Sequence, residues 1–276
     1  MSQERSKASV VAASLFLATL AYAGGLFAMA YTQGLLVRTL ELRLVLILSE
    51  AALALPAVIA AFLLARSLPE LHRFRPLAPK AVLLTVALGL AFWSLSLGVF
   101  EAQYVFFKPP LAYLQQFQGL HETLKPGSLF GWFFSIAAIA VAPAICEEML
   151  FRGLLTPVLR NAVGSGVAII LSAASFGAIH VDAMADGTSV YYRVPFAFIL
   201  GLLLAKLRLD TGSLWPPMIA HATLNATTFC VVVLIAEEPT TTLPDPQPLM
   251  ALGMLVVGFA VARVLNRQIR PAAPSA

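Results

Sequence analysis

The chain has 276 residues, of which 59% are hydrophobic and only 12% are charged, whereas ordinary soluble domains have roughly 25% charged residues. This composition excludes a soluble globular protein and indicates an integral protein of the lipid bilayer. The net charge of +4 is explained by where the basic residues lie along the chain, so no nucleic-acid partner is implied.

Apolar stretches recur along the whole chain, and each approaches the roughly 20 residues that a helix needs to cross a bilayer. We therefore predict an all-α polytopic membrane protein, a bundle of about eight transmembrane helices that forms one integral membrane domain over residues 1–276. The sixth stretch is the shortest. The stretches cover residues 9–33, 42–64, 81–100, 129–159, 163–181, 194–207, 214–236 and 249–265.

The distribution of charge predicts the orientation of these helices. With the N-terminus in the cytoplasm, most of the 18 Lys and Arg residues fall in inner segments, while the outer segments carry many of the acids. This agrees with the positive-inside rule, so both termini are expected to be cytoplasmic. The Ala-rich and Pro-rich composition is typical of a bacterial protein, so the expected location is the inner (plasma) membrane.

The segment between the third and fourth stretches, residues 101–127, contains a possible short helix. Pro109 and Pro110 would begin it, and Leu111, Leu114 and Phe117 follow at near-helical spacing. One interpretation is a surface helix in the headgroup region, and the other is a gate beside a lateral opening. His72 and His121 also lie in connecting segments, where we expect them to be solvated.

The fourth stretch carries two adjacent acids, Glu147 and Glu148, and then Arg152. In a helix, Glu148 and Arg152 lie four residues apart with the acid first, the favourable order for an ion pair. Glu147 then points about 100° away, which leaves its carboxylate free. A free carboxylate inside a membrane protein indicates a functional site. Pro143, one turn earlier, is expected to bend this helix.

Three further polar side chains fall in apolar stretches: His180 on the fifth, and His221 with Asn225 on the seventh. His221 and Asn225 are four residues apart and share a helix face, and Phe176 has the same spacing from His180. Counting about 1.5 Å per residue from the intervening turns gives all of these groups a similar depth. The sequence therefore predicts one polar cluster between the fourth, fifth and seventh helices, nearer the outer face.

Hydrolysis is the chemistry that suits this cluster. Glu147 is assigned as the base, His180 as its water-orienting partner, and His221 with Asn225 as donors to the oxyanion. A zinc site of Glu147, His180 and His221 is also possible, but the HExxH spacing is missing, so we prefer no cofactor. Cys146 as a nucleophile is disfavoured, because it points about 100° from Glu147 and has no activating cation nearby.

The three motifs together resemble those of a known family. Glu147-Glu148-x-x-x-Arg152, Phe176-x-x-x-His180 and His221-x-x-x-Asn225 look like the motifs of the CPBP (CAAX protease and bacteriocin-processing) family, which includes the type II CAAX prenyl endopeptidase. The resemblance covers residues 129–235, the predicted catalytic core with the three motifs, and it implies an intramembrane endopeptidase whose fold has a core of eight helices. It also implies the roles assigned above to Glu147, His180, His221 and Asn225. Family members have been described both as zinc-dependent and as glutamate-dependent.

The expected substrate is a membrane-anchored or exported protein or peptide. The main alternative is a catalytically silent membrane scaffold or bacteriocin-immunity factor of the same fold. A proton-coupled transporter is less favoured, because the chain lacks the inverted repeats and paired broken helices that are typical of that class.

Overall fold

The structure is a computed structural model that describes residues 2–184, 186–235, 241–243 and 245–269. Within these residues the fold consists of helices connected by short loops, with one small antiparallel hairpin. The helices are α1 (Ser2–Leu36), α2 (Leu42–Leu64), α3 (Pro79–Phe106), α4 (Leu111–Thr123), α5 (Leu129–Val163), α6 (Ser165–Ala178), α7 (Val194–Thr211), α8 (Trp215–Ile235) and α9 (Pro248–Ile269). The strands are β1 (Asp182–Ala183) and β2 (Ser189–Val190).

Six of these helices are long and apolar enough to cross a membrane: α1 from Lys7 onward, α2, α3, α5, α8 and α9. The predicted all-α polytopic membrane fold is thus confirmed, and each of the eight apolar stretches corresponds to a helix. Helix α6 has only 14 residues, or about 21 Å at 1.5 Å per residue, which is less than the hydrocarbon thickness of about 30 Å. The last residue of the predicted seventh stretch, Ala236, lies outside the described residues.

Small residues stand where neighbouring helices cross. A Cβ added to Gly98 of α3 would meet the backbone of Ala251 on α9, and one added to Gly258 of α9 would meet that of Ala91 on α3. Gly201 of α7 approaches Ala173 of α6 in the same way. Lipid provides no hydrophobic driving force between helices, so close backbone approach at such residues stabilises their association.

Helix α5 is interrupted by two π-helical segments, Ala137–Val141 and Met149–Leu155. A proline follows each segment, Pro143 after the first and Pro157 after the second. Proline lacks the backbone N–H that would bond to the carbonyl four residues earlier. The expected bend at Pro143 stays a prediction; what the structure contains here is a π turn just before the acids. The second π segment, just after the acids, was not predicted.

The short helix predicted after Pro110 is present as α4, and it is attached to the hairpin. The Gln116 side-chain amide donates to the carbonyl oxygen of Ala183, with the two atoms 3.0 Å apart. The expectation that His121 is solvated was wrong: its side chain is 4% exposed and packs against Phe117 and Phe229. These contacts come from α8 as well as α4, so the position of His121 in a connecting segment did not reveal them.

Candidate active site

The site is built around a buried ion pair on α5. Arg152 Nη1 donates to Glu148 Oε1 at 2.9 Å, and neither side chain has any exposed surface. Arg152 Nη2 also donates to the carbonyl oxygen of Gly201 on α7 at 3.1 Å, and its guanidinium lies 4.4 Å from the centroid of the Phe176 ring. The predicted pair is therefore present, and it ties α5 to α6 and α7.

His221 brings α8 into the same cluster. Its Nδ1 lies 3.1 Å from Glu148 Oε1, while its Nε2 lies 3.8 Å from Glu147 Oε2. A carboxylate only accepts hydrogen bonds, so the proton of this bond lies on Nδ1. The ring therefore has a fixed orientation, with Nε2 directed towards Glu147.

The second acid, Glu147, has no such partner. Its side chain is buried, and Oε2 has no hydrogen-bond partner in the described part of the chain. The 3.8 Å to His221 Nε2 is longer than a hydrogen bond. The structure thus contains the predicted division between a paired carboxylate and an unpaired one.

His180 lies just after the last turn of α6 and is half-buried. Its Nδ1 donates to the carbonyl oxygen of Phe176 at 2.8 Å, so a neutral ring has an unprotonated Nε2 that can accept a proton. The Phe176 ring contacts both imidazoles, with its centroid 4.7 Å from that of His180 and 5.8 Å from that of His221. Phe176 therefore packs against both histidines.

Asn225 lies one turn after His221 on α8 and is half-buried. The structure does not bring it into a hydrogen bond with Glu147, His180 or His221. Among the described residues no partner for its side-chain amide is found, so this amide is available to a bound molecule.

Carbonyl groups of the second π segment accept hydrogen bonds from the loop before α3 and from α7, which sequence reasoning missed. His72 Nε2 donates to the Met149 carbonyl at 3.0 Å, and the His72 backbone N–H donates to the Gly153 carbonyl at 3.1 Å. Arg208 Nε donates to the Arg152 carbonyl at 3.2 Å. The expectation that His72 is solvated was therefore wrong. The hydrogen bond between His72 and Met149 joins residues that are 77 positions apart in the sequence, and no local pattern indicates it.

Glu50 is a further acid within an apolar helix, α2. Helix α2 packs against the stretch of α5 that carries the acids, and Glu50 Oε2 is buried with no hydrogen-bond partner among the described residues. The only signal available was a lone acid within an apolar stretch.

The residues proposed as zinc ligands do not form a preformed metal site. Across the described ranges, no group of three His, Cys, Asp or Glu side chains is placed to hold a metal ion. His221 presents its two nitrogens to the two acids, and His180 uses Nδ1 for the Phe176 carbonyl. The preference for no cofactor therefore stays a prediction.

The fold and this cluster define a helical membrane protein with a buried site of acids and imidazoles. The model of the Rce1-like family, type II CAAX prenyl endopeptidase Rce1-like, matches residues 129–227. This range contains all three motifs, so the resemblance to the CPBP family is confirmed, and it supports a CAAX-type intramembrane peptidase. No curated protein and no solved structure matches the chain.

Proposed function

We propose that this protein is an intramembrane endopeptidase that hydrolyses a peptide bond of a membrane-anchored or exported protein or peptide. The observation that carries the proposal is the unpaired, buried Glu147 carboxyl, which lies beside an ion-paired acid and 3.8 Å from His221. A buried polar group without a partner is costly in a bilayer protein. Its retention is explained if a water molecule or a substrate completes the site.

Glu147 is the general base in this mechanism. It takes a proton from a water molecule while the water oxygen attacks the carbonyl carbon of the substrate, and it then returns a proton to the leaving amine. His180 Nε2 accepts a hydrogen bond from the same water and so orients it. The bond from His180 Nδ1 to the Phe176 carbonyl fixes the ring in the tautomer that this role requires.

His221 and Asn225 stabilise the oxyanion. Because Nδ1 of His221 already donates to Glu148, the ring must be an imidazolium for Nε2 to donate as well. Because Glu148 is already paired with Arg152, the oxyanion itself compensates that charge, and the Asn225 amide supplies a second donor on the same helix face. Hydrogen-bond donors that are already in position in a water-poor site typically stabilise the transition state by several kcal/mol.

Comparative peptidomics of host membranes tests this proposal. Wild-type protein is compared with Glu147→Gln and with Cys146→Ser, a matched change at the neighbouring residue of the same helix. We expect an uncut precursor to accumulate with Glu147→Gln and not with Cys146→Ser. Identical peptide profiles for all three proteins at equal protein levels would contradict the proposal and favour a silent scaffold. Accumulation with Cys146→Ser alone would make the thiol the nucleophile.

A further inference from the structure

The loop between α2 and α3, residues 65–78, carries exposed positive charge to which the proposed function assigns no role. Its acid, Glu70, is already paired with Arg160 of α5. Arg73 and Arg75 are exposed, and no ion pair to either of them is found in the described ranges. The loop therefore presents two guanidinium groups whose charge no acid of the described residues compensates.

Backbone hydrogen bonds hold these two arginines against the turn between α7 and α8. The Leu214 N–H donates to the carbonyl oxygen of Arg73 at 3.0 Å, and the Arg75 N–H donates to Ser213 Oγ at 3.0 Å. Ser213 Oγ donates in turn to the carbonyl oxygen of Arg75 at 3.1 Å. A Cβ added to Gly212 would lie 3.5 Å from Arg75 Nη1, so this guanidinium lies beside the same turn. Because the backbone is already fixed, a ligand loses less free energy in ordering the loop.

Two exposed aromatic side chains accompany the arginines. Phe74, which lies between them in the sequence, packs edge-on against Trp215 at the start of α8, with the ring centroids 5.1 Å apart. Each of the two residues is still 43% exposed. Tryptophan is enriched at the membrane–water interface, where its ring lies at the level of the lipid headgroups. The position of Trp215 therefore indicates that the arginines lie at headgroup level too.

The helix ends around this loop form the basic side of the protein. Asn266 near the end of α9 donates to Asp210 near the end of α7, and Arg160 joins the end of α5 to the loop, so these ends lie on one side. They carry further basic residues: Arg66, Lys80, Lys206, Arg208, Arg263 and Arg267. The positive-inside rule predicts that such a side faces the cytoplasm, where anionic lipids give the leaflet a negative surface.

We propose that Arg73 and Arg75 bind the headgroup of an anionic phospholipid of the inner leaflet, while Phe74 and Trp215 pack against its glycerol and upper acyl chain. A guanidinium group matches a phosphate through two parallel N–H···O bonds. The aromatic pair favours a lipid over free phosphate, because an inorganic ion makes no use of exposed apolar surface. The inference does not depend on whether the protein is a peptidase.

Native mass spectrometry of the full chain purified in detergent tests the inference. Phosphatidylglycerol, or phosphatidylcholine with the same acyl chains, is titrated into wild-type protein and into the double variant Arg73→Gln/Arg75→Gln. The matched control is Arg38→Gln/Lys108→Gln, which removes the same charge from exposed residues. Arg38 precedes α2 and Lys108 follows α3, so both lie at the ends of these helices that are remote from the loop.

The expected result is a selective loss. The first phosphatidylglycerol should bind to the Arg73→Gln/Arg75→Gln protein about tenfold or more weakly than to wild-type protein, since each basic residue at an anionic lipid surface contributes roughly a factor of five. We expect its binding to the control to be unchanged. Equal weakening in the two double variants would mean that net charge alone attracts the lipid, and it would overturn the inference. Equal affinity of wild-type protein for the two lipids would also overturn it.

Two further measurements on wild-type protein need no variant. The preference for phosphatidylglycerol over phosphatidylcholine should shrink as ammonium acetate is raised from about 50 to about 500 mM, because salt screens exposed charges. A preference that is independent of salt would contradict a site based on the arginines. Inorganic phosphate, added at the same concentration as the lipid, should leave the phosphatidylglycerol bound. Displacement of the lipid would assign the loop to free phosphate and would overturn the proposal.

Discussion

Arg152 and Glu148 form an ion pair of 2.9 Å in which both side chains are completely buried. The arginine has a further bond to the Gly201 carbonyl and lies over the ring of Phe176. The pair therefore organises three helices around the site. Removing one partner of a buried pair leaves an uncompensated charge, and this is much more costly than losing an exposed pair.

The first prediction concerns this pair. We expect Arg152→Met to lower the free energy of unfolding by about 3–5 kcal/mol, because Glu148 is left buried and charged. Arg160→Met is the matched control, since the ion pair of Arg160 with Glu70 is partly exposed and such pairs contribute at most about 1 kcal/mol. Denaturant unfolding in detergent measures both variants, and equal losses would show that Arg152 does not have this structural role.

The second prediction concerns pH. Burial lowers the pKa of His72 below its ordinary value of 6.5, so the folded protein binds fewer protons there than the unfolded chain does. The stability that neutral His72 supports is therefore present above about pH 6.5 and is lost as the pH falls below that value. Burial also lowers the pKa of His121, so the stability that neutral His121 supports is lost in the same way at low pH.

The His72→Asn variant tests how much of this pH dependence of stability comes from His72. His72 has a positive φ of 45°, a conformation that Asn adopts readily. We expect the melting temperature of the variant to fall less steeply than that of wild-type protein when the pH is lowered from about 7 to about 5, across the ordinary histidine pKa. Parallel pH curves for the two proteins would mean that His72 contributes no proton linkage.

The third prediction concerns the contact of the loop with the second π segment. A Cβ added to Gly153 would collide with the His72 ring, and overpacking of this kind typically costs roughly 1–3 kcal/mol. We therefore expect Gly153→Ala to destabilise the protein. A Cβ added to Gly166 meets nothing within 4 Å, so Gly166→Ala is the control. Thermal unfolding compares the two, and similar melting temperatures would contradict the close contact.

The fourth prediction concerns whether cleavage requires a bound metal ion. The described residues present no preformed set of three metal ligands, and the proposed mechanism uses only side chains. We therefore expect exhaustive chelation of the purified protein to leave the cleavage rate unchanged. Loss of activity that returns when zinc is added would replace the glutamate mechanism with a zinc-dependent one.

Much of the fold could be predicted because its signals are local. Apolar stretches near bilayer length locate the helices, and Pro110 marks the start of α4. The i,i+4 spacing of Glu148 and Arg152 predicts their ion pair, and the same spacing places Phe176 within contact of His180. Each of these relationships is contained in a few consecutive residues.

The remaining features depend on contacts between distant residues. His221 and Glu148 are hydrogen-bonded although they lie 73 residues apart in the sequence. Whether His221 bonds to Glu148 or to Glu147 depends on how α8 is rotated against α5. The π geometry at Met149–Leu155 depends on donors from His72 and Arg208, which satisfy the freed carbonyls. Helix α2, which carries Glu50, packs against the part of α5 that carries the acids. No local spacing indicates these relationships.

The central claim is that Glu147 and His180 act together on one water molecule. The most direct test is the cleavage rate of the precursor that accumulates with Glu147→Gln, measured in proteoliposomes for wild-type protein, Glu147→Gln, His180→Gln and the double variant. We expect each single change to lower the rate by roughly 10²–10⁴-fold. Because groups that act as a unit are non-additive, the double variant should be at most about tenfold slower than the slower single variant. A near-wild-type cleavage rate for either single variant would contradict the claim. So would a fold-loss of rate in the double variant that equals the product of the two single fold-losses.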